Sequence, residues 1–230
     1  MIKENEIVHI CFIARNARWF HKILQRMSPE QKAAYNDSPL PELSRSISRK
    51  YVMLELISAE SNDLIKKINE ILSIKHTEVK KAFDKGACFS FPRSDEEKLY
   101  KLILLLEGYI TSLNSCSDFC YKYVKMFQKK ILGQIPEKHD LKWKRDLSSL
   151  RSDFVHNYSS WISFIHKGSR FIPQLTLAES YVRHPYHKKY GFPTITLDEI
   201  NKIVQEMDMS IAFLMNALIA RLDRVSGRKY

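Results

Sequence analysis

The sequence predicts an all-α fold, and three observations support that prediction. Most apolar residues recur at helical spacing, so that each periodic segment has one apolar face. Three Ser or Thr residues are each followed three positions later by Glu or Gln, the pairing that caps helix N-termini. Only six glycines and eight prolines interrupt 230 residues. Because 44% of the residues are hydrophobic and neither a repeat nor a second composition is evident, we expect one all-α domain over residues 1–230.

The N-terminal third is predicted to hold three helices. An apolar stripe over residues 5–26 indicates the first. Ser28 caps the second, with Pro29 at its first position and Gln31 completing the capping box. The stretch NDSPLPELS, which starts at Asn36, has two prolines and small polar residues, and it predicts a loop before a long helix over residues 44–73.

Two more long helices are expected in the middle of the chain. Ser94 and Glu97 form a capping box ahead of residues 95–131, where apolar residues lie on nearly all sides, so this helix should be central and buried. A turn at GQIPEKHD, which starts at Gly133, precedes a helix over residues 139–166.

The C-terminal part combines an irregular segment with a final helix. Residues 168–193 contain three prolines and two glycines, so we expect irregular structure there, with room for a short extended piece. Thr196 and Glu199 then cap the last helix, whose core stripe ends near Leu222.

Charge and cysteine usage indicate the compartment and the kind of partner. The net charge is +11, from 37 Lys and Arg against 26 Asp and Glu, which favours an anionic partner, with nucleic acid first and a membrane surface second. The four cysteines are scattered without a CxxC pair, so we expect free, buried and reduced thiols. The N-terminus has no signal-peptide pattern, and the apolar run from Leu102 is too short to span a membrane. We therefore expect a soluble cytoplasmic protein with no membrane partner.

The stretch LRSDFVHNY, residues 150–158, carries the strongest functional signal. Arg151, His156 and Tyr158 form an R-x4-H-x-Y motif within a predicted helix. This motif resembles the signature of HEPN domains, particularly the toxin branch often encoded beside a small nucleotidyltransferase. The resemblance implies a helical bundle that dimerises and places two motifs in one cleft, and many members are metal-independent ribonucleases. It does not cover the extra N-terminal helices or the irregular segment before the last helix.

The residue types suit RNA cleavage without a metal or another cofactor. Histidine can move the proton of the ribose 2′-hydroxyl, since its unperturbed pKa lies near 6.5. The planar fork of arginine can bind two oxygens of the phosphate as negative charge builds there. We therefore assign His156 as general base or acid and Arg151 as phosphate binder. By resemblance, Tyr158 would help position the site, and in nucleotidyltransferase-paired relatives that tyrosine receives AMP, which silences the toxin.

Helix geometry leaves two ways to bring the three motif residues together, and the resemblance implies the one in which a second subunit completes the site. Positions seven apart nearly eclipse on a helix, so Arg151 and Tyr158 share a face, whereas His156 lies to one side. Either Arg151 sits in a distorted first turn, or a homodimer brings the groups together. Ser152 and Asp153 could hydrogen-bond or orient the histidine, although the family commonly has Asn, Asp or His directly after the arginine.

Two groups of basic residues are predicted to bind RNA. Lys142, Lys144 and Arg145 precede the motif and could form a phosphate track, although a solvated helix face fits them equally well. The stretch RHPYHKKY, residues 183–190, mixes tyrosines with Arg183, Lys188 and Lys189, and single-stranded RNA is held by such stacking and charge. No set of residues has the spacing of metal ligands.

The sequence thus predicts a metal-independent endoribonuclease of HEPN type, acting as the toxin of a toxin–antitoxin or defence system. An antitoxin or nucleotidyltransferase would be its protein partner. The alternative is a catalytically inactive HEPN-like module that binds RNA or a protein partner. A third interpretation, a helical bundle without a site, requires the motif to be accidental.

Overall fold

Helices dominate the computed structural model. It describes residues 18–84, 93–135, 143–145, 147–148, 151–152, 161–167, 170–176 and 194–225. The helices and strands follow in the order α1 (Arg18–Arg26), α2 (Pro29–Asn36), α3 (Leu40–Ile74), α4 (His76–Asp84), α5 (Arg93–Lys130), β1 (Trp161–Lys167), β2 (Arg170–Thr176), β3 (Thr194–Thr196) and α6 (Leu197–Val225). The predicted helical fold class is confirmed, and a small sheet is added to it.

The start of α2 confirms the predicted capping box. The Ser28 hydroxyl accepts a hydrogen bond from the Gln31 backbone N–H at 3.2 Å, and the Ser28 backbone N–H donates to Gln31 Oε1 at 2.9 Å. Two of the N–H groups that a helix N-terminus leaves unpaired are thereby satisfied.

Helix α3 begins four residues earlier than the sequence indicated. Pro41 lies in its first turn, although this proline was assigned to a loop. A proline is tolerated there because the first turn has no hydrogen-bond acceptor for its backbone nitrogen. The Ser38 hydroxyl accepts a hydrogen bond from the Leu40 backbone N–H at 3.2 Å, which supports the early start.

The predicted helix over residues 139–166 is wrong in its last part, where strand β1 replaces it. Residues 143–145, 147–148 and 151–152 are helical, but Trp161–Lys167 pairs antiparallel with β2, in a register that joins Lys167 to Arg170. Gly168 and Ser169 separate two runs rich in β-branched and aromatic residues, which is a hairpin signal in the sequence. Strand β2, seven residues long, is the extended piece for which the predicted irregular segment left room.

The sheet has the order β1-β2-β3, with both pairs antiparallel. Strand β3 pairs only with Gln174–Thr176 of β2. Among the described residues, Pro173 therefore pairs with β1 on one side and with no strand on the other. Proline is tolerated at such an edge position, where its missing backbone N–H interrupts no second ladder.

The chain divides into two compact units, each described here by itself. The first, the sheet unit, contains Met1–Cys11, Leu56–Ile110 and Ser148–Lys202. The second, the aromatic unit, contains Phe12–Glu55, Thr111–Leu147 and Ile203–Tyr230. The single-domain assignment over residues 1–230 stays a prediction.

The sheet unit buries apolar side chains of α3, α4, α5 and α6. Leu102 and Leu106, four residues apart on α5, are almost fully buried. Leu104 lies on the opposite side of the helix, about 200° from Leu102, and is 67% exposed. The expectation that this helix is buried on nearly all sides is therefore wrong at Leu104.

The core of the aromatic unit contains a run of packed rings. Phe20 contacts Tyr123 edge to face, with ring centroids 5.0 Å apart, and Tyr123 stacks on Phe127 at 5.9 Å. Arg26 Nε donates hydrogen bonds to both carboxylate oxygens of Asp223, at 2.9 and 3.1 Å, and so joins α1 to the end of α6. Within this unit, these contacts hold α1 against α5 and against the C-terminal end of α6.

Helix α6 is apolar along most of its length. Residues Glu199–Val225 are long and apolar enough to cross a membrane, with a mean hydropathy of 1.4 in their most apolar window. Length and composition alone are weak evidence, because the core helix of a soluble protein passes the same test. Ile211, Met215 and Leu218 on this helix are buried in the protein core.

Candidate functional site

The segment that leads into the motif is anchored by two buried side chains. Trp143 and Leu147 are four residues apart and almost fully buried in the aromatic unit. The indole Nε1 of Trp143 donates a hydrogen bond to Ser210 Oγ on α6 at 3.0 Å, and its ring lies 6.2 Å from that of Tyr121 on α5. Trp143 is therefore a core residue rather than an exposed platform for base stacking. Trp161 belongs to β1.

Lys144 lies between an acidic group and an aromatic ring. Its ammonium group is 2.9 Å from Asp118 Oδ1 and 4.6 Å from the centroid of Tyr121. Burial, followed by the neighbouring Cys120, raises the pKa of Tyr121 to about 12, so its hydroxyl is neutral under the lysine at physiological pH. The carboxylate offsets the charge of Lys144, which was predicted to bind phosphate, and holds the side chain against α5.

The structure places Arg151, the first motif residue, and its neighbour Ser152 on the surface. Arg151 and Ser152 are helical and exposed, as is Arg145, six residues before Arg151. An exposed arginine fork is open to an approaching phosphate group. Arg151 and Ser152 both belong to the sheet unit.

The other predicted site residues lie outside the described part of the chain. They are the remaining candidates of the 150–158 stretch, the first residue of the predicted phosphate track and the basic candidates of the 183–190 stretch. Their names are Asp153, His156, Tyr158, Lys142, Arg183, Lys188 and Lys189. The expected convergence of Arg151 with His156 therefore stays a prediction.

A row of lysines on α5 was not singled out from the sequence. Lys122, Lys125 and Lys129, which we call the lysine stripe, are all exposed, and within residues 119–130 every exposed side chain is a lysine. Asp118, the partner of Lys144, lies one turn before Lys122 on the same side of the helix. The signal was present in the sequence as lysines at helical spacing between core positions.

An open surface pocket of about 350 Å³ lies beside the C-terminal end of α6. It is lined by Gln134, Ile135, Arg221, Arg224 and Val225. Arg221 Nη1 donates a hydrogen bond to Gln134 Oε1 at 3.1 Å. The lining combines two positive charges with exposed apolar side chains, and it includes neither Arg151 nor Ser152.

A buried polar cluster lies in the core of the aromatic unit. Tyr51, Cys116, Cys120 and Asp208 are all buried there. A hydrogen bond with Cys116, together with burial, raises the pKa of Cys120, and burial followed by the Coulombic effects of Cys120, Cys116 and Asp208 raises the pKa of Tyr51. Tyr51 and Cys120 are thus neutral at physiological pH. The cluster offers no reactive thiolate at Cys120.

The prediction of free, buried thiols is confirmed for Cys116 and Cys120. Cys11 and Cys88 lie outside the described residues. Within the residues that the structure describes, no group of three or more His, Cys, Asp or Glu side chains is arranged to hold a metal ion.

The comparisons with known proteins found no match in family models, curated proteins or solved structures. The residues of the motif and their chemistry therefore carry the functional proposal.

Proposed function

We propose that this chain is a metal-independent endoribonuclease of the HEPN type that acts as a homodimer in a toxin–antitoxin or defence setting. The R-x4-H-x-Y motif at Arg151, His156 and Tyr158 carries the proposal. The exposed, helical position of Arg151 and the basic charge of +11 support it, because both suit a polyanionic substrate.

The proposed reaction needs only groups that the chain itself supplies. His156 removes the proton of a ribose 2′-hydroxyl, and the 2′-oxygen attacks the adjacent phosphorus. A bond forms between phosphorus and the 2′-oxygen, the bond to the 5′-oxygen breaks, and a protonated histidine supplies the proton that the leaving 5′-oxygen takes up. The products are a 2′,3′-cyclic phosphate and a free 5′-hydroxyl, so atoms and protons balance.

Arg151 stabilises the negative charge that accumulates on the phosphate oxygens during this step. Removing one positioned donor of this kind commonly lowers the rate by about a hundredfold to a thousandfold. Ser152 and Asp153 would orient the imidazole of His156, and Tyr158 would position the site. In a homodimer, two such motifs would share one cleft, which removes the geometric conflict between Arg151 and His156 on a single helix.

The test is cleavage of a fluorescently labelled single-stranded RNA by the purified full chain in EDTA. Wild type should cleave it, and His156→Ala and Arg151→Ala should each lower the rate by at least about a hundredfold. The matched controls are Arg49→Ala, an exposed helical arginine in α3, and His21→Ala, an exposed histidine in α1. Both controls should cleave at the wild-type rate.

The proposal is contradicted if His156→Ala and Arg151→Ala both still cleave the RNA. It is also contradicted if the control variants lose as much activity as the motif variants. A 5′-phosphate product in place of a cyclic phosphate would contradict the mechanism, because it requires water rather than the 2′-oxygen as nucleophile. Sedimentation of the wild-type chain tests the homodimer separately.

The second candidate function is an RNA-binding HEPN-like module without catalysis. The lysine stripe favours RNA binding whether or not the motif is active. Ser152, which departs from the residue types common after the arginine, favours the inactive form. This module would bind RNA in a salt-dependent manner, and its binding would not depend on His156.

A further inference from the structure

We propose that the exposed face of α5 is an RNA-binding surface, in which the lysine stripe of Lys122, Lys125 and Lys129 contacts the phosphate backbone of a single strand. The choice of RNA as the occupant rests on the proposed function. The surface itself is argued from the geometry and the charges of the aromatic unit, and none of its residues belongs to the motif.

The three ammonium groups project from one narrow side of the helix. At 100° per residue, Lys122, Lys125 and Lys129 lie within about 60° of one another around the axis, and they cover about 10 Å along it. The residues between them, Tyr123, Val124 and Phe127, are buried in the core. The packing of these apolar side chains therefore sets the direction in which the lysines point.

The acid nearest to the stripe along α5, Asp118, is paired with Lys144. None of the carboxylates in the described ranges forms an ion pair with Lys122, Lys125 or Lys129. Lys129 lies in the last turn of α5, where a cation also complements the helix dipole. That explanation does not extend to Lys122, which lies two turns earlier.

Asp118 and Lys144 mark the N-terminal end of the stripe. Their ion pair attaches the segment before the motif to the same side of α5, so the polypeptide that leads to Arg151 starts beside the stripe. A strand bound along the stripe would thus pass the start of the motif-bearing segment.

The side chains of the stripe suit a nucleic-acid backbone better than a lipid surface. Helices that lie on membranes combine basic residues with exposed apolar or aromatic side chains that enter the lipid. Over residues 119–130 the exposed side chains are all lysines, whereas Tyr121, Tyr123 and Phe127 are buried and Phe119 and Met126 are only partly exposed. A surface whose exposed side chains are all cations matches a chain of phosphates.

The test is RNA binding by the full chain, measured by fluorescence anisotropy at several salt concentrations. The probe is a labelled 2′-O-methyl oligouridylate of about 20 nucleotides, longer than a typical single-strand site of about 4–16 nucleotides. It has no 2′-hydroxyl proton and therefore cannot be cleaved by the proposed mechanism. The stripe variant is Lys122→Gln/Lys125→Gln/Lys129→Gln.

The matched control is Lys32→Gln/Lys66→Gln/Lys202→Gln, which removes as many charges from exposed helical lysines elsewhere. Each phosphate contact with a single strand contributes about 0.7 to the slope of log affinity against log salt. The stripe variant should lose about 2 from that slope and bind at least about tenfold more weakly at low salt, whereas the control should stay close to wild type.

Equal binding by the stripe variant and the control overturns the inference. So does a stripe variant that keeps its RNA affinity but loses binding to phosphatidylserine vesicles, because the surface would then serve a membrane. If wild type fails to cleave RNA while stripe-dependent binding persists, the proposed catalytic function fails and the RNA-binding surface stands.

Discussion

The hydrogen bond between Trp143 and Ser210 offers a sharp test of how the segment before the motif is held. Trp143 is 3% exposed, and its indole N–H donates to Ser210 Oγ at 3.0 Å. Trp143→Phe removes this bond, which contributes about 1 kcal/mol, and leaves a small cavity that costs about 1 kcal/mol more. The free energy of unfolding should therefore fall by about 2 kcal/mol, which corresponds to a decrease in Tm of about 4–8 °C for a chain of this size.

A double-mutant cycle isolates the hydrogen bond from the packing. Ser210→Ala leaves the buried indole donor without its partner and should cost about 1–3 kcal/mol in wild type. In the Trp143→Phe background the same substitution should cost about 1 kcal/mol less, because the donor is already absent. Stability is measured by urea denaturation followed by far-ultraviolet circular dichroism, which does not depend on tryptophan fluorescence.

Trp19→Phe is the matched control. Trp19 is also buried in the aromatic unit and contacts the ring of Tyr51, with 6.4 Å between centroids, but in the described residues its indole forms no hydrogen bond. This variant should show the packing loss alone and no coupling to Ser210→Ala. The reasoning is refuted if Trp143→Phe and Ser210→Ala are additive to within about 0.3 kcal/mol, the limit expected for independent sites.

Two further predictions follow from the same unit. Asp118→Asn should change the free energy of unfolding by less than about 1 kcal/mol, because its ion pair with Lys144 is solvent-exposed. The charge of Lys144 is then no longer offset, so the variant should bind the 2′-O-methyl RNA probe more tightly than wild type. Weaker binding would contradict the geometry. The second concerns alkaline pH. The Cys120 thiol has a pKa raised above 9.0 in the folded chain, so it ionises more readily after unfolding. The Cys120 thiol should therefore leave the free energy of unfolding unchanged below pH 9.0 and lower it as pH rises above that value. Tyr121 should lower it further between pH 10.0 and about 12. Urea denaturation at a series of pH values checks this, and stability that rises through this range would show the reasoning to be wrong.

The helices were largely predictable because their signals are local. The Ser28 capping box predicted the start of α2 correctly, since the cap involves groups only three positions apart. The boundary of α3 was placed too late because a proline such as Pro41 is compatible both with a loop and with a first helical turn.

The sheet was missed because short apolar runs fit two periodicities. Trp161–Lys167 continues the apolar pattern of the predicted helix closely enough to extend it, whereas its pairing with Arg170–Thr176 identifies it as a strand. The Gly168-Ser169 dipeptide between the two runs was the available local signal for this hairpin.

For the candidate site, the sequence by itself determined the chemical groups. The R-x4-H-x-Y spacing, the excess of basic residues and the helical class were all readable without coordinates, because each depends on residue identity or on separations within a few turns. The tertiary structure decided which of these groups face solvent and which are paired. Asp118 joins Lys144 across 26 positions of sequence, and the packing of Tyr123 and Phe127 turns the lysine stripe outward. Such pairings depend on how separate helices pack, and local sequence spacing contains no information about that packing.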